Sequence, residues 1–317
     1  MTDAEQEPVN SELSHLAHDR LIAAMRVVES LPPSARGALL VGPQDEPLGT
    51  ILIENNRVCW GAASGMSGRL RDILRSHCQV SIRDDELDAV YDRCRRESRP
   101  ISDVLEVSGL VTPDHMRAAL KQHTIESLLA VDAAVAILCG GDALTWPMQW
   151  IEHGGRGYNP RYTFGAVEVL AAAGAQRLQE SDAKCMIDHL DELADPSSAL
   201  VAFSFEPDGT PIYVGATTWL PIDLQDLLAL TTWAEAALGA SSGFSAAVAR
   251  ACVESSDGAA VAWRFHGRRC AALCTTGASL RRLAKLLDDR GIAIVLATKP
   301  LVLVRVRERV EAKKQGE

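Results

Sequence analysis

Apolar and polar positions divide this chain into short elements of two periods. Leu16, Leu21, Ala24 and Val28 recur at helical spacing within Leu13–Leu31, and Pro32-Pro33 stops that run. Ala38–Val41, Thr50–Ile53 and Val58–Gly61 predict short strands. Glu54-Asn55-Asn56-Arg57 suits a hairpin turn between the last two. Gly65-Met66-Ser67-Gly68 leads into a helix carrying Leu70, Ile73 and Leu74. Asp84-Asp85-Glu86 opens another, with Leu87, Val90, Tyr91 and Cys94. Ser102–Glu106 predicts a short helix closed by Ser108-Gly109. Thr112-Pro113-Asp114 is a strong helix start, since threonine caps, proline sits at the first position and aspartate meets the positive end. Met116, Ala119, Leu120, His123, Ser127 and Leu128 continue that helix. Leu144–Ile151 and Tyr158–Phe164 predict two strands, and Phe164–Leu178 a helix connecting the halves.

In the second half, a helix is expected over Lys184–Leu193, followed by alternation in Val201–Phe205. Asp208-Gly209 favours a reversal, because glycine tolerates positive φ. Thr210–Val214 returns as a strand. Pro211 lacks an amide donor, so this strand belongs at an edge or begins after the proline. Leu220-Pro221-Ile222-Asp223 opens a helix over 222–238 with an unusually broad apolar surface. Leu224, Leu227, Leu228, Thr231 and Leu238 form one stripe, which Leu230, Trp233, Ala234 and Ala237 widen. That breadth has two explanations: burial between layers of one chain, or a second face serving as a subunit interface. Ala246–Glu254 is ambiguous and is read as a strand. Val261, Trp263 and Phe265 alternate along the next strand, His266-Gly267 turns the chain, and Cys270–Thr275 returns. Leu280, Leu283, Ala284 and Leu287 trace a last helix stopped near Gly291. Ile292–Leu296 and Leu301–Val306 predict two further strands.

The order helix, two strands, helix, three strands, helix over roughly 180–290, with Asp223-Leu224, Leu227 and Trp233-Ala234, resembles the roadblock/dynein light-chain family. That resemblance implies a profilin-like antiparallel sheet, dimerisation through the middle helix, and partnership with Ras-like small GTPases. The strands after Gly291 exceed the basic pattern and would cover or replace the usual partner surface. The segment 35–165 resembles the PatA N-terminus-like (PATAN) signalling modules. The resemblance rests on the Gly49-to-Gly61 strand pair, the small-residue turn into Leu70–Leu74, and Leu110-Val111-Thr112-Pro113 followed by Ala118-Ala119-Leu120-Lys121-Gln122-His123. It implies association with response regulators and other signalling domains, and carries no activity.

Composition narrows the classes. The chain has 317 residues, 47% of them hydrophobic, enough for two cores, and a net charge of -10. That charge opposes general attraction to nucleic acid or to an anionic membrane. Arg69–Arg99 holds eight basic and seven acidic residues, which reads as solvated helix faces rather than a nucleic-acid surface built on Arg93, Arg95 and Arg96. No uninterrupted apolar run reaches the length that spans a bilayer. The acidic first twelve residues lack a signal core, so a cytoplasmic location and reduced thiols are expected for the eight cysteines.

Candidate chemistry is sparse. His266, Cys270 and Cys274 stand at intervals of four, but a turn and an alternating strand separate them too far to chelate one metal. His15 and His18 lack nearby ligands. His77-Cys78 are adjacent without forming a dyad. Gly61, Gly65 and Gly68 follow a strand without the spacing of a dinucleotide-binding turn. Ser181-Asp182-Ala183-Lys184 reads as a cap and a surface lysine. No catalytic residue, metal or cofactor is therefore assigned.

The expectation is an α/β protein of the α+β type. Residues 1–34 form a tail and helix, 35–165 a mixed module with a helical segment, 166–180 a connecting helix, and 181–310 an antiparallel sheet with helices. Its expected role is that of a non-catalytic bacterial signalling adaptor or small-GTPase regulator. The expected assembly is a homodimer through Leu224, Leu227, Leu228, Leu230, Thr231, Trp233 and Ala237, with a GTPase or response-regulator-containing partner, no nucleic acid and no membrane insertion. The alternatives are an enzyme of unfamiliar family, with its site assembled from both halves or around His77 and Cys78, and a structural scaffold.

Overall fold

The computed structural model describes residues 20–66, 70–77, 82–139, 145–152, 158–159, 161–176, 180–194, 197–206, 211–215, 223–240, 250–255, 258–274, 276–290, 292 and 294–297. The chain divides into two compact units, Met1–Val169 and Leu170–Glu317. Both are mixed α/β.

The first described element of the first unit is helix α1 (20–30), whose Leu21, Ala24, Met25 and Val28 form the buried stripe. Its sheet has the order β3-β2-β1-β4 and is antiparallel throughout: β1 (Arg36–Val41), β2 (Gly49–Glu54), β3 (Arg57–Ala63) and β4 (Met148–Glu152). Asn55 and Asn56 both adopt positive φ, 55° and 57°, so β2 and β3 join through the tight turn whose twist matches the strands. Asn56 Nδ2 also donates to the Glu29 carbonyl at 2.8 Å, which satisfies a carbonyl left over at the end of α1.

Helices α2 (Leu70–His77), α3 (Asp84–Glu97), α4 (Ile101–Val107) and α5 (Pro113–Cys139) follow β3. The Thr112 hydroxyl accepts the His115 amide at 3.3 Å, the N-cap expected from the sequence. A Cβ at Gly49 would collide with Val131, so glycine there lets α5 lie directly on the sheet. By length and composition α5 is apolar enough to cross a membrane. It packs on β3 and α2, and Met116, Leu120, Leu128 and Val135 are buried along it. Asp132 on this helix accepts from Arg20 Nε at 2.9 Å, Arg20 Nη2 at 3.1 Å and Trp146 Nε1 at 3.0 Å, all inside the core.

The strand expected at 158–164 differs: among its described residues, 158–159 and 161–164, Phe164 makes a single bridge, to Val58, and no ladder forms. The Asn159 side-chain oxygen accepts the Arg161 amide at 2.9 Å and its carbonyl accepts the Tyr162 amide at 3.0 Å. This local pairing bends the chain and competes with the extended form. Helix α6 (Ala166–Ala175) follows, and the boundary between the units falls within it.

The second unit contains α7 (Glu180–Leu193), β5 (Val201–Phe205), β6 (Pro211–Gly215), α8 (Leu224–Ala240), β7 (Arg250–Ser255), β8 (Gly258–Phe265), β9 (Arg268–Cys274), α9 (Gly277–Asp288) and β10 (Ile294–Ala297). The sheet order is β10-β7-β8-β9-β5-β6, with β10 alone parallel to its neighbour. The expected central antiparallel sheet is therefore present. β6 sits at the edge, where Pro211 costs no ladder bond. The further strand β10 covers the other edge, beside β7. The proposed reversal at 207–210, the helix opening at 220–222, the Gly291 stop and the strand 301–306 lie outside the described residues.

Strand parity sorts the two faces. Ala259, Val261, Trp263, Cys270, Ala272 and Cys274 join Met186, Leu190, Leu193, Leu283 and Leu287 in one core, so α7 and α9 share a face. Ala260, Ala262, Ala271 and Leu273 alternate to the opposite face, and α8 packs across β7, β8 and β9.

Candidate functional site

Asp223 precedes helix α8, and its carboxylate accepts the Asp226 amide at 2.8 Å. The proposed interface residues separate clearly. Leu224, Leu227, Leu230, Thr231 and Ala237 are buried within the unit, whereas Leu228 and Trp233 are half-buried. The reason is the small residues beneath. Alanines at 260, 262 and 271 let the helix sit low on the sheet, so a wide arc of it sinks. Apolar breadth alone therefore did not mark a free second face. Gln225, Ala229, Thr232, Ala236 and Gly239 remain exposed, a narrow uncharged strip flanked by Leu228 and Trp233.

A second feature lies wholly in the first unit. A cavity of about 700 Å³ opens among β2, β3, α2, α3, α4, α5 and the 158–162 turn. Trp60 projects from β3 and stacks on His123 of α5, with ring centroids 4.4 Å apart and planes 29° apart. The 158–162 turn is clamped onto α4: Asn159 Nδ2 donates to Asp103 at 2.6 Å, Arg161 donates to Glu106 at 2.7 Å, and the Tyr162 hydroxyl donates to Glu106. These bonds hold Tyr158, Asn159 and Tyr162 on the cavity wall. No sequence spacing announced the cavity. Its wall spans Leu52 to Tyr162, and the only early sign was that three of the chain's four tyrosines fall in this half.

Three groups on the cavity wall, Cys59, Tyr158 and His123, are shifted away from their charged forms. Burial, then the nearby Glu54 charge, pushes the Cys59 thiol up to about 12. Burial, followed by Cys59 and Glu54, pushes Tyr158 up to about 12. Burial also lowers His123, which leaves its imidazole neutral near pH 7. A protonated thiol is a weak nucleophile.

The remaining motifs stay apart. His266 is exposed at the β8–β9 turn, while Cys270 and Cys274 are buried along β9. Among the described residues no three His, Cys, Asp or Glu side chains gather as metal ligands. Gly61 packs against Thr124 of α5 and Gly65 adopts a φ of 73°. Gly68, Cys78, His15 and His18 lie outside the described residues. Arg93 and Arg95 pair with Glu97 and Asp92, and Arg96 bonds the Asp92 carbonyl, so α3 has the laced, mixed-sign surface expected.

His189, in the second unit, gives a pH-dependent prediction. It stacks on Phe265 with centroids 3.6 Å apart, and its Nε2 accepts Trp263 Nε1–H at 3.0 Å. Burial, then the Arg290 and His266 charges, lowers its pKa from 6.5 to about 4. As pH falls the unfolded chain therefore takes up this proton first. The stabilisation is whole above the unfolded value and is lost as pH falls towards the folded one. The second unit should unfold at lower urea at about pH 5 than at about pH 7.5, with a smaller difference in His189→Gln. Equal pH dependence in both proteins would contradict this.

No protein-family model matches the chain, and no curated protein matches it.

Proposed function

We propose that this chain is a two-module, non-catalytic signalling adaptor whose second unit pairs with a second copy through the outer strip of α8. The observation that carries the reading is the chemistry of that strip. Five exposed positions, Gln225, Ala229, Thr232, Ala236 and Gly239, carry no charge, and four of them are small. An ordinary solvent-facing helix strip is built from charged and polar residues, whereas only Gln225 and Thr232 are polar here. Small residues between the Leu228 and Trp233 shoulders let a like helix approach closely, and a two-fold axis would pair the strip with itself.

The order of elements in the second unit, helix, two strands, helix, three strands, helix, supports the roadblock-like reading, as does its antiparallel core sheet. On that reading the partner is a Ras-like small GTPase or a response-regulator-containing protein, and regulation works by stabilising one partner conformation. β10 occupies the sheet edge beside β7, which directs pairing to the helix rather than to that edge. The rival enzyme reading has a nearer candidate in the first unit's cavity, where Cys59 and His123 both stand, but the raised thiol pKa weighs against it.

Light scattering tests the pairing. Wild type should show twice the 34.1 kDa chain mass. Ala236→Glu and Leu228→Glu should fall to the single-chain mass with unchanged circular dichroism. Leu230→Glu is unsuitable, since that side chain is only 1% exposed and the change would test folding. A wild type that stays at the chain mass across the concentration range rejects the proposal.

A further inference from the structure

We infer that the cavity of the first unit is a binding site for a small molecule that combines a flat ring with an acidic group. The size fits, since pockets of roughly 300–1,000 Å³ enclose ligands of that class, and this one measures about 700 Å³.

The ring requirement comes from the wall. Trp60 and His123 already form a stacked pair there, and Tyr91, Tyr158 and Tyr162 also line the space. Phe, Trp and Tyr make up only 5% of the chain, yet three of its four tyrosines face this one cavity. Aromatic walls favour a flat guest, because offset stacking adds to simple burial. Leu52, Leu70, Ile101 and Leu120 supply apolar contact. Asn159 and Ser102 supply neutral polar groups that fix orientation.

The acidic group is required by charge. The lining carries three guanidinium groups, Arg71, Arg95 and Arg99, against one carboxylate, Asp88, in a chain whose net charge is -10. Among the described residues those guanidiniums are held by loose surface pairs: Arg71 to Asp84 at 3.4 Å and to Asp72 at 3.5 Å, Arg99 to Glu97 at 3.4 Å and Arg95 to Asp92 at 4.0 Å. Exposed pairs of this kind contribute little, so an entering anion can recruit them. Guanidinium binds carboxylate and phosphate alike through paired N–H groups. The shared chemistry therefore has two sources, an aromatic carboxylate or a purine nucleotide.

The test is isothermal titration of the full chain with four probes: indole-3-acetate, guanosine monophosphate, and their non-anionic counterparts tryptamine and guanosine. At least one anion should bind with a Kd below about 1 mM, and its counterpart at least about tenfold more weakly. The anion that binds identifies the source. Arg95→Glu should weaken that binding about tenfold, and this side chain is 82% exposed, so the fold is not at risk. His123→Leu, which removes the stacked ring, should weaken it comparably. Arg281→Glu, on the second unit, should leave it unchanged. Failure of both anions to bind at millimolar concentration overturns the inference. So does binding equal for anion and counterpart, or binding undiminished in Arg95→Glu.

Discussion

Asp132→Ala should lower the stability of the first unit by about 3–5 kcal/mol, the cost of breaking a buried ion pair by removing one partner. Asp132 is 4% exposed and Arg20 3%. The carboxylate takes two bonds from the Arg20 guanidinium and one from the Trp146 indole, joining α1 and the segment before β4 to α5. Alanine removes the carboxylate that takes both of these guanidinium bonds and leaves the indole N–H without this acceptor. At a urea slope of roughly 1–3 kcal/mol per molar, the midpoint of the first unit should fall by about 1 M or more. The double variant Arg20→Met/Asp132→Leu should recover much of the loss, because an apolar pair of similar volume removes both desolvation costs. An unchanged midpoint in Asp132→Ala would contradict the account. A double variant no better than Asp132→Ala would show that the damage is steric.

The second large effect is expected at Trp263. It is fully buried on β8, in the core shared by Met186, Leu190, Leu283 and Leu287. Trp263→Ala should cost the second unit about 3–5 kcal/mol, combining lost burial with the cavity left behind. Trp263→Phe should cost less, because the ring volume largely remains and only the Nε1–H bond to His189 is lost. That bond holds the neutral imidazole, so the phenylalanine variant should also lose part of the acid sensitivity assigned to His189. Urea unfolding at two pH values separates the packing loss from the hydrogen-bond loss. Equal costs for alanine and phenylalanine would contradict the packing explanation.

Local chemistry made much of the fold legible in the sequence. Asn55-Asn56 marked a turn because asparagine tolerates the left-handed region, and both residues occupy it. Thr112-Pro113 fixed the start of α5, and Pro211 placed β6 at an edge. Tyr158–Phe164 misled because aromatic content imitates strand propensity, while the decisive bond, from the Arg161 amide to the Asn159 side chain, leaves no periodic trace. α8 left two explanations open for a tertiary reason. Its apolar breadth was plain, but how much of it the unit itself covers depended on alanines well past the end of the helix, at 260, 262 and 271. The cavity was invisible because its wall draws on seven separate segments, which only the closed fold brings together.

Crosslinking tests the pairing of α8 most directly. Thr232 lies midway along the exposed strip, and its hydroxyl bonds only the Leu228 carbonyl of its own helix among the contacts resolved. Thr232→Cys would be introduced into a chain carrying Cys139→Ser and Cys185→Ser, which removes the described exposed thiols. Two helices paired along this strip bring the new sulfurs within disulfide reach, with Cβ atoms about 4 Å apart. The account predicts a covalent dimer on mild oxidation, reversed by reductant, and no such dimer from Arg282→Cys on α9 in the same background. A Thr232→Cys chain that stays a single chain under oxidation, or that crosslinks no faster than Arg282→Cys, would contradict pairing through α8.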